Sequence, residues 1–144
     1  MAQYTWILYP IGAALSLAAA DFFLKLSSSR ISSNLGTLVY ALATIIPPAI
    51  LLLIGRARGD SVTYSGEGLL YSVLMGISFS LVVVFLSLTF ASGVNLSVGT
   101  PIIRMTGIII ASALGIAVFG EGVSLRYFIG FGLALLGIYF IVTK

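Results

Sequence analysis

Apolar residues fill this chain in blocks of about twenty, separated by short polar breaks. Five such blocks stand at roughly residues 4–26, 35–54, 68–91, 98–119 and 125–142. Wound as an α-helix, a block of about 20 residues rises about 30 Å, the hydrocarbon thickness of a bilayer. The pattern therefore predicts an all-α integral membrane fold of five transmembrane helices, with residues 1–144 as one domain. The run Ser27-Ser28-Ser29-Arg30-Ile31-Ser32-Ser33-Asn34 closes the first helix, and the longest loop holds Arg56, Arg58, Gly59, Asp60 and the polar residues to Glu67. An uncharged link runs from Ser92 to Ser97, and a short turn Gly120-Glu121-Gly122-Val123-Ser124 precedes the last helix, for which Ser124 is a candidate N-cap and Glu121 a structural turn residue. Pro47-Pro48 inside the second block removes two backbone donors. It predicts a kink or a locally unwound turn that must be buried in protein or face a cavity. Pro101, at the start of the fourth block, is a further candidate kink.

Composition agrees with the pattern: 60% of the residues are hydrophobic and 8% charged, with a mean hydropathy of +1.19. A soluble domain of this length would expose charge on every helix, whereas whole windows of about 20 residues here carry none. There is no cysteine and no histidine, which removes disulfides, thiolate and imidazole metal ligands, and the commonest nucleophile and base pairs. No cofactor, no metal and no catalytic residue is expected. A membrane enzyme would have to rest on four acids, without a Gly-x-Ser-x-Gly motif. The net charge of +3 is accounted for by membrane-flanking lysine and arginine and needs no nucleic-acid partner. No basic stretch precedes the first block, so it reads as a retained span in a multi-pass plasma or inner membrane protein rather than a cleaved signal.

Charge distribution bears on orientation. With five spans, one face carries Arg56, Arg58 and Arg126 and the other Lys25, Arg30 and Lys144, three against three. Cytoplasmic loops normally hold the excess of basic residues, so balanced flanks fit insertion in both orientations, the condition for an antiparallel homodimer. Three charged residues fall within the blocks themselves: Asp21, Lys25 and Arg104. A charge near the centre of a bilayer costs about 2.5–3.5 kcal/mol, so a chain that keeps one pairs it or uses it. All three are expected within about two turns of the same membrane face. Two readings follow: a structural ion pair of Asp21 with Lys25 or Arg104, or an acid whose protonation is coupled to ligand binding, with Arg104 facing an anionic moiety. Lys25, close to the helix end, also fits a snorkelling anchor.

Small residues four apart mark contact faces between membrane helices. Such faces are Ala14, Ala18, Asp21 and Lys25 in the first block, Ser72, Gly76, Ser80 and Ser87 in the third, Gly107, Ala111 and Gly115 (with Arg104) in the fourth, and Gly130, Ala134 and Gly137 in the fifth. The second presents Thr37, Tyr40 and Thr44 leading into the proline pair, which makes Tyr40 and Thr44 candidates for lining a substrate path.

Three stretches carry a family resemblance: Ala20-Asp21-Phe22-Phe23-Leu24-Lys25 in the first block, Pro101 with Phe119-Gly120-Glu121 around the fourth, and Gly130-Phe131-Gly132-Leu133-Ala134-Leu135-Leu136-Gly137-Ile138-Tyr139 in the fifth. In these the chain resembles one EamA-type repeat of the drug/metabolite transporter superfamily, over nearly its whole length. It departs from that pattern at Leu38-Val39-Tyr40, where such repeats commonly carry an arginine, and at Arg104. Larger relatives hold two repeats of opposite orientation with a cavity between them. The resemblance therefore implies a secondary transporter of small organic metabolites or drugs, working by alternating access between two antiparallel copies in the bilayer. The small multidrug-resistance proteins, cousins in that superfamily, have an essential carboxylate in the first helix, and Asp21 is its candidate counterpart. The competing expectation is a non-transporting membrane subunit that packs against a larger transporter or complex, its charges serving assembly.

Overall fold

The computed structural model describes residues 7–143, with the Val142 side chain left aside. Residues 4–6 of the first block and Lys144 of the flanking charge lie outside the described residues. The chain is helical: α1 (Leu8–Ser28), α2 (Ser33–Ala43), α3 (Ile46–Ala57), α4 (Gly66–Ala91), α5 (Leu96–Phe119) and α6 (Leu125–Val142). Four stretches are long and apolar enough to cross a membrane, namely Leu8–Ser28, Ser33–Ala57, Gly66–Ala91 and Leu96–Phe119; the last helix is shorter. These helices are compatible with a multi-pass membrane protein. The helices divide into two compact units, one ending at Gly93 and one beginning at Val94.

In the first unit, the polar break after α1 ends the helix by chemistry as well as by solvation. Ser27, Ser28 and Ser29 donate their hydroxyls to the carbonyls of Leu24, Lys25 and Leu26 at 3.0, 2.8 and 3.2 Å. Groups that a continuing helix would leave to backbone donors are thereby satisfied locally. The second span is interrupted where the proline pair requires. Pro47 and Pro48 offer no N–H to the carbonyls of Ala43 and Thr44, and the ladder stops at Thr44–Ile45. Both residues keep helical dihedrals, φ −66° and ψ −13° at Thr44 and φ −71° and ψ −29° at Ile45. The interruption is thus a kink, not an unwound turn. The prolines then fall at the start of α3, where a missing N–H costs least.

The next break ends α3 in a Schellman turn. Gly59 takes φ +84°, its N–H bonds Arg56 O at 3.0 Å, and Asp60 N–H bonds Gly55 O at 3.0 Å. Arg56 therefore belongs to the last turn of α3 rather than to the loop. At the far side Ser65 caps α4, accepting from Gly68 N–H at 3.1 Å, so α4 starts two residues earlier than the apolar block.

Packing in this unit is uneven. α2 packs extensively on α4, and α1 packs on α4 and α2, while α3 makes no comparable contact with another helix among the described residues. The core is Val83, Leu86 and Phe90, all in the C-terminal half of α4, with Ser87 and Asp21 buried beside them in the ranking of exposure. The first half of α4 and nearly all of α3 stay exposed.

The second unit is a helical hairpin of α5 and α6. Asn95 precedes α5, and Pro101 lies inside it at the sixth position rather than at its opening, because the helix begins at Leu96. Pro101 withholds a donor from the Ser97 carbonyl, and the neighbouring Thr100 hydroxyl oxygen is buried with no hydrogen-bond partner. Gly120, at φ +63°, ends α5. The Glu121 N–H turns back to Gly115 O at 3.4 Å. Ser124 caps α6 as the sequence predicts, its Oγ accepting from Tyr127 N–H at 3.3 Å.

Candidate functional site

The charged residue pair of α1 sits at the packed end of the first unit. Asp21 is 5% exposed, in a helix whose apolar window is otherwise almost wholly unburied. One turn later Lys25 is half-buried and does not run out along the lipid face as an anchor would. Its ammonium lies over the Phe90 ring, 5.4 Å from the centroid, and its Nζ donates to the Phe90 carbonyl at 3.5 Å. That carbonyl belongs to the last turn of α4, where backbone dipoles leave partial negative charge, and it also accepts from Gly93 N–H at 3.1 Å. A cation within about 6 Å of a ring centroid is held by the quadrupole as well. Lys25 thus fastens the end of α1 to the end of α4.

The same contact fixes a register. Lys25 stands level with Phe90, and both helices bury their C-terminal parts. A helix rises about 6 Å in four residues. Asp21 is buried one turn before Lys25, and Leu86 and Ser87, one turn before Phe90, are 1% and 2% exposed. The contact combines an aromatic ring and a helix C-terminus around the Lys25 ammonium, with the buried carboxyl group of Asp21 one turn earlier on α1. Phe90 is the member that sequence reading missed; its only signal was an aromatic residue in the last turn of the third span.

The α2 candidates lie on the adjoining helix. Tyr40 is half-buried and Thr44 exposed at the kink. The Thr44 hydroxyl donates to Ala41 O at 2.8 Å, and Thr37 donates to Ser33 O at 2.9 Å, so both threonines satisfy themselves on their own helix. Arg104 stands in the second unit on α5 and is half-buried.

The small-residue faces divide in two. Met105, Ile108 and Ile109 of α5 and Phe131, Ala134, Leu135 and Ile138 of α6 line a small cavity between the two helices, so Ala134 faces α5. Gly115 is buried under Glu121, whose Oε2 would stand 2.7 Å from an added Cβ. At Gly107, Gly130 and Gly137 an added Cβ would meet nothing within 4 Å, and Ala111 is exposed.

With the geometry in place the class is that of an all-helical chain with four stretches long and apolar enough to cross a membrane, one of which buries the acid Asp21. Comparison with family models, with curated proteins and with solved structures finds no match.

Proposed function

We propose that this chain is a secondary transporter of small organic metabolites or drugs, a single EamA-type repeat that works by alternating access as an antiparallel, dual-topology homodimer in the cell membrane. In this reading α6 is the fifth span. Its 18 residues rise about 27 Å, within the range that crosses a bilayer. The observation that carries the proposal is Asp21, 5% exposed inside an apolar helix. Buried ionisable groups in membrane spans are expensive, and they mark ion and substrate paths. The proline break supports the same reading, because a helix with carbonyls lacking donors belongs beside a cavity or a partner rather than in lipid. The balance of flanking charge supports two orientations, and two inverted copies restore the paired arrangement of larger transporters.

The test is proton-driven uptake into proteoliposomes, with wild type compared against Asp21→Asn. The expected result is loss of coupled uptake in the variant; unchanged uptake removes Asp21 from the mechanism. Cysteines placed at Met1 and Lys144 and labelled from outside are expected to react in separate populations. A single fixed orientation removes the antiparallel dimer. The second reading, a subunit of a larger complex, is favoured by the small share of each spanning window buried within the chain, 0–11%. A chain that is stable only when co-expressed with another membrane protein supports it, whereas a stable isolated dimer supports the transporter.

A further inference from the structure

We propose that the end of α4 around Phe90 is a binding subsite for a primary ammonium group, occupied in the empty protein by the chain's own Lys25. The proposal rests on the transporter reading and names the substrate class that this site takes, an organic amine or the amino group of a larger amphiphile.

Three features each favour a cation, two of them at Phe90 and one on α1. The Phe90 ring is 2% exposed and holds an ammonium 5.4 Å from its centroid. The Phe90 carbonyl closes a 26-residue helix and accepts from that ammonium at 3.5 Å, so the negative end of α4 faces it. Asp21, on the same face of α1 one turn before Lys25, adds a buried carboxyl group. A ring, a helix C-terminus and an acid together form a receptor for positive charge. Nothing in this set attracts an anion except Lys25 itself.

Lys25 is suited to being displaced. Its ammonium is a compact charge on a flexible four-carbon stem, and the helix carrying it ends three residues later at Ser28. When a substrate amine takes the Phe90 position, the side chain swings toward the membrane face and is solvated there, as lysines near span ends are. The exchange replaces one ammonium by another, so the buried site never loses its positive partner. A neutral analogue has no means of displacing Lys25, because the site would then keep its negative groups without a cation. The selectivity for amines follows from that difference.

The chain has only two lysines, Lys25 and Lys144, which permits a direct test. Reductive methylation with ¹³C-formaldehyde keeps both cationic and gives each an NMR signal. In the full-length protein in detergent, the Lys25 methyl resonance is expected to be displaced by the Phe90 ring current. Titration with benzylamine is expected to move it to an unperturbed lysine position, whereas benzyl alcohol and benzoate leave it in place. By calorimetry, Lys25→Met is expected to bind benzylamine about tenfold more tightly, because the internal competitor is gone. Phe90→Leu is expected to bind it about 2- to 5-fold more weakly, the share of one ring. If Phe90→Leu does not fold, the lysine resonance carries the test in the otherwise unaltered chain. The proposal is overturned if benzylamine leaves the Lys25 signal unmoved, if benzoate or benzyl alcohol moves it equally, or if Lys25→Met binds benzylamine no better. Binding in detergent requires no transport. Loss of the transporter reading therefore shows as benzylamine binding without coupled uptake of any substrate, and loss of the subsite as coupled uptake with Lys25 unmoved.

Discussion

Replacing both prolines of the second span, Pro47→Ala with Pro48→Ala, separates stability from function. In the wild-type chain the carbonyls of Ala43 and Thr44 face positions that cannot donate, and α2 and α3 part at Thr44–Ile45. The double variant returns two N–H groups and lets one helix run from Ser33 to Ala57, 25 residues and about 37 Å. Each regained hydrogen bond contributes about 0.5–1.5 kcal/mol net. The prolines already sit where their missing N–H is tolerated, so the full interior penalty of about 3 kcal/mol is not recovered. Against the gain stands the lost stiffness of the unfolded chain, about 0.4–1 kcal/mol per proline. The balance is a stabilisation of about 1 kcal/mol, or about 2–4 °C in thermal unfolding followed by circular dichroism. Spin labels at the exposed residues Leu38 and Leu53 report the geometry: a continuous helix sets their backbones about 22 Å apart, and a kinked one sets them closer. Proteoliposome uptake is expected to fall at least tenfold as the helix straightens. Straightening with undiminished uptake refutes the functional role of the kink, and an unchanged label distance refutes the prolines as its cause.

Two further substitutions test the breaks that set the helix lengths. Gly59→Ala forces a side chain into φ +84° with no steric neighbour to blame, so thermal unfolding is expected to show a loss of about 1–2 kcal/mol from backbone strain alone. Ser124→Ala removes the acceptor for Tyr127 N–H at the start of α6, a loss of about 1 kcal/mol that Ser124→Asp is expected to restore.

These turns were legible in the sequence because local chemistry decides them. The serine run after α1, the proline pair and Ser124 each act on backbone groups within four residues, and the structure uses each for that purpose. The fate of Lys25 was not legible. Its place near the end of a span fits a snorkelling side chain as well as an inward one, and the choice is made by Phe90, 65 residues away. The small-residue faces depend on distant geometry as well. Spacing alone marks where helices can approach closely, but in the α5–α6 hairpin a five-residue turn and the Gly120 cap fix which faces meet. Met105, Ile108 and Ile109 line the cavity between the two helices, while an added Cβ at Gly107 would meet nothing within 4 Å.

The first unit is fastened at one end and parted at the other, and the two conditions have different physical origins. At the Lys25 end three helices converge on Val83, Leu86 and Phe90. At the other end, past the proline break, α3 makes no comparable contact with α4 among the described residues, and the first half of α4 stays exposed. Within one copy the fastened end holds the acid and the parted end does not. In the proposed antiparallel dimer each membrane face then holds one fastened end and one parted end. Releasing Lys25 in one copy and seating it in the other conserves the number of buried ammonium groups, so the exchange between inward- and outward-facing states is nearly isoenergetic, as alternating access requires. Disabling one copy tests this. Heterodimers of wild type with Lys25→Met are expected to bind benzylamine at two unequal sites, about tenfold apart, and two equal sites would show that the copies do not differ through Lys25.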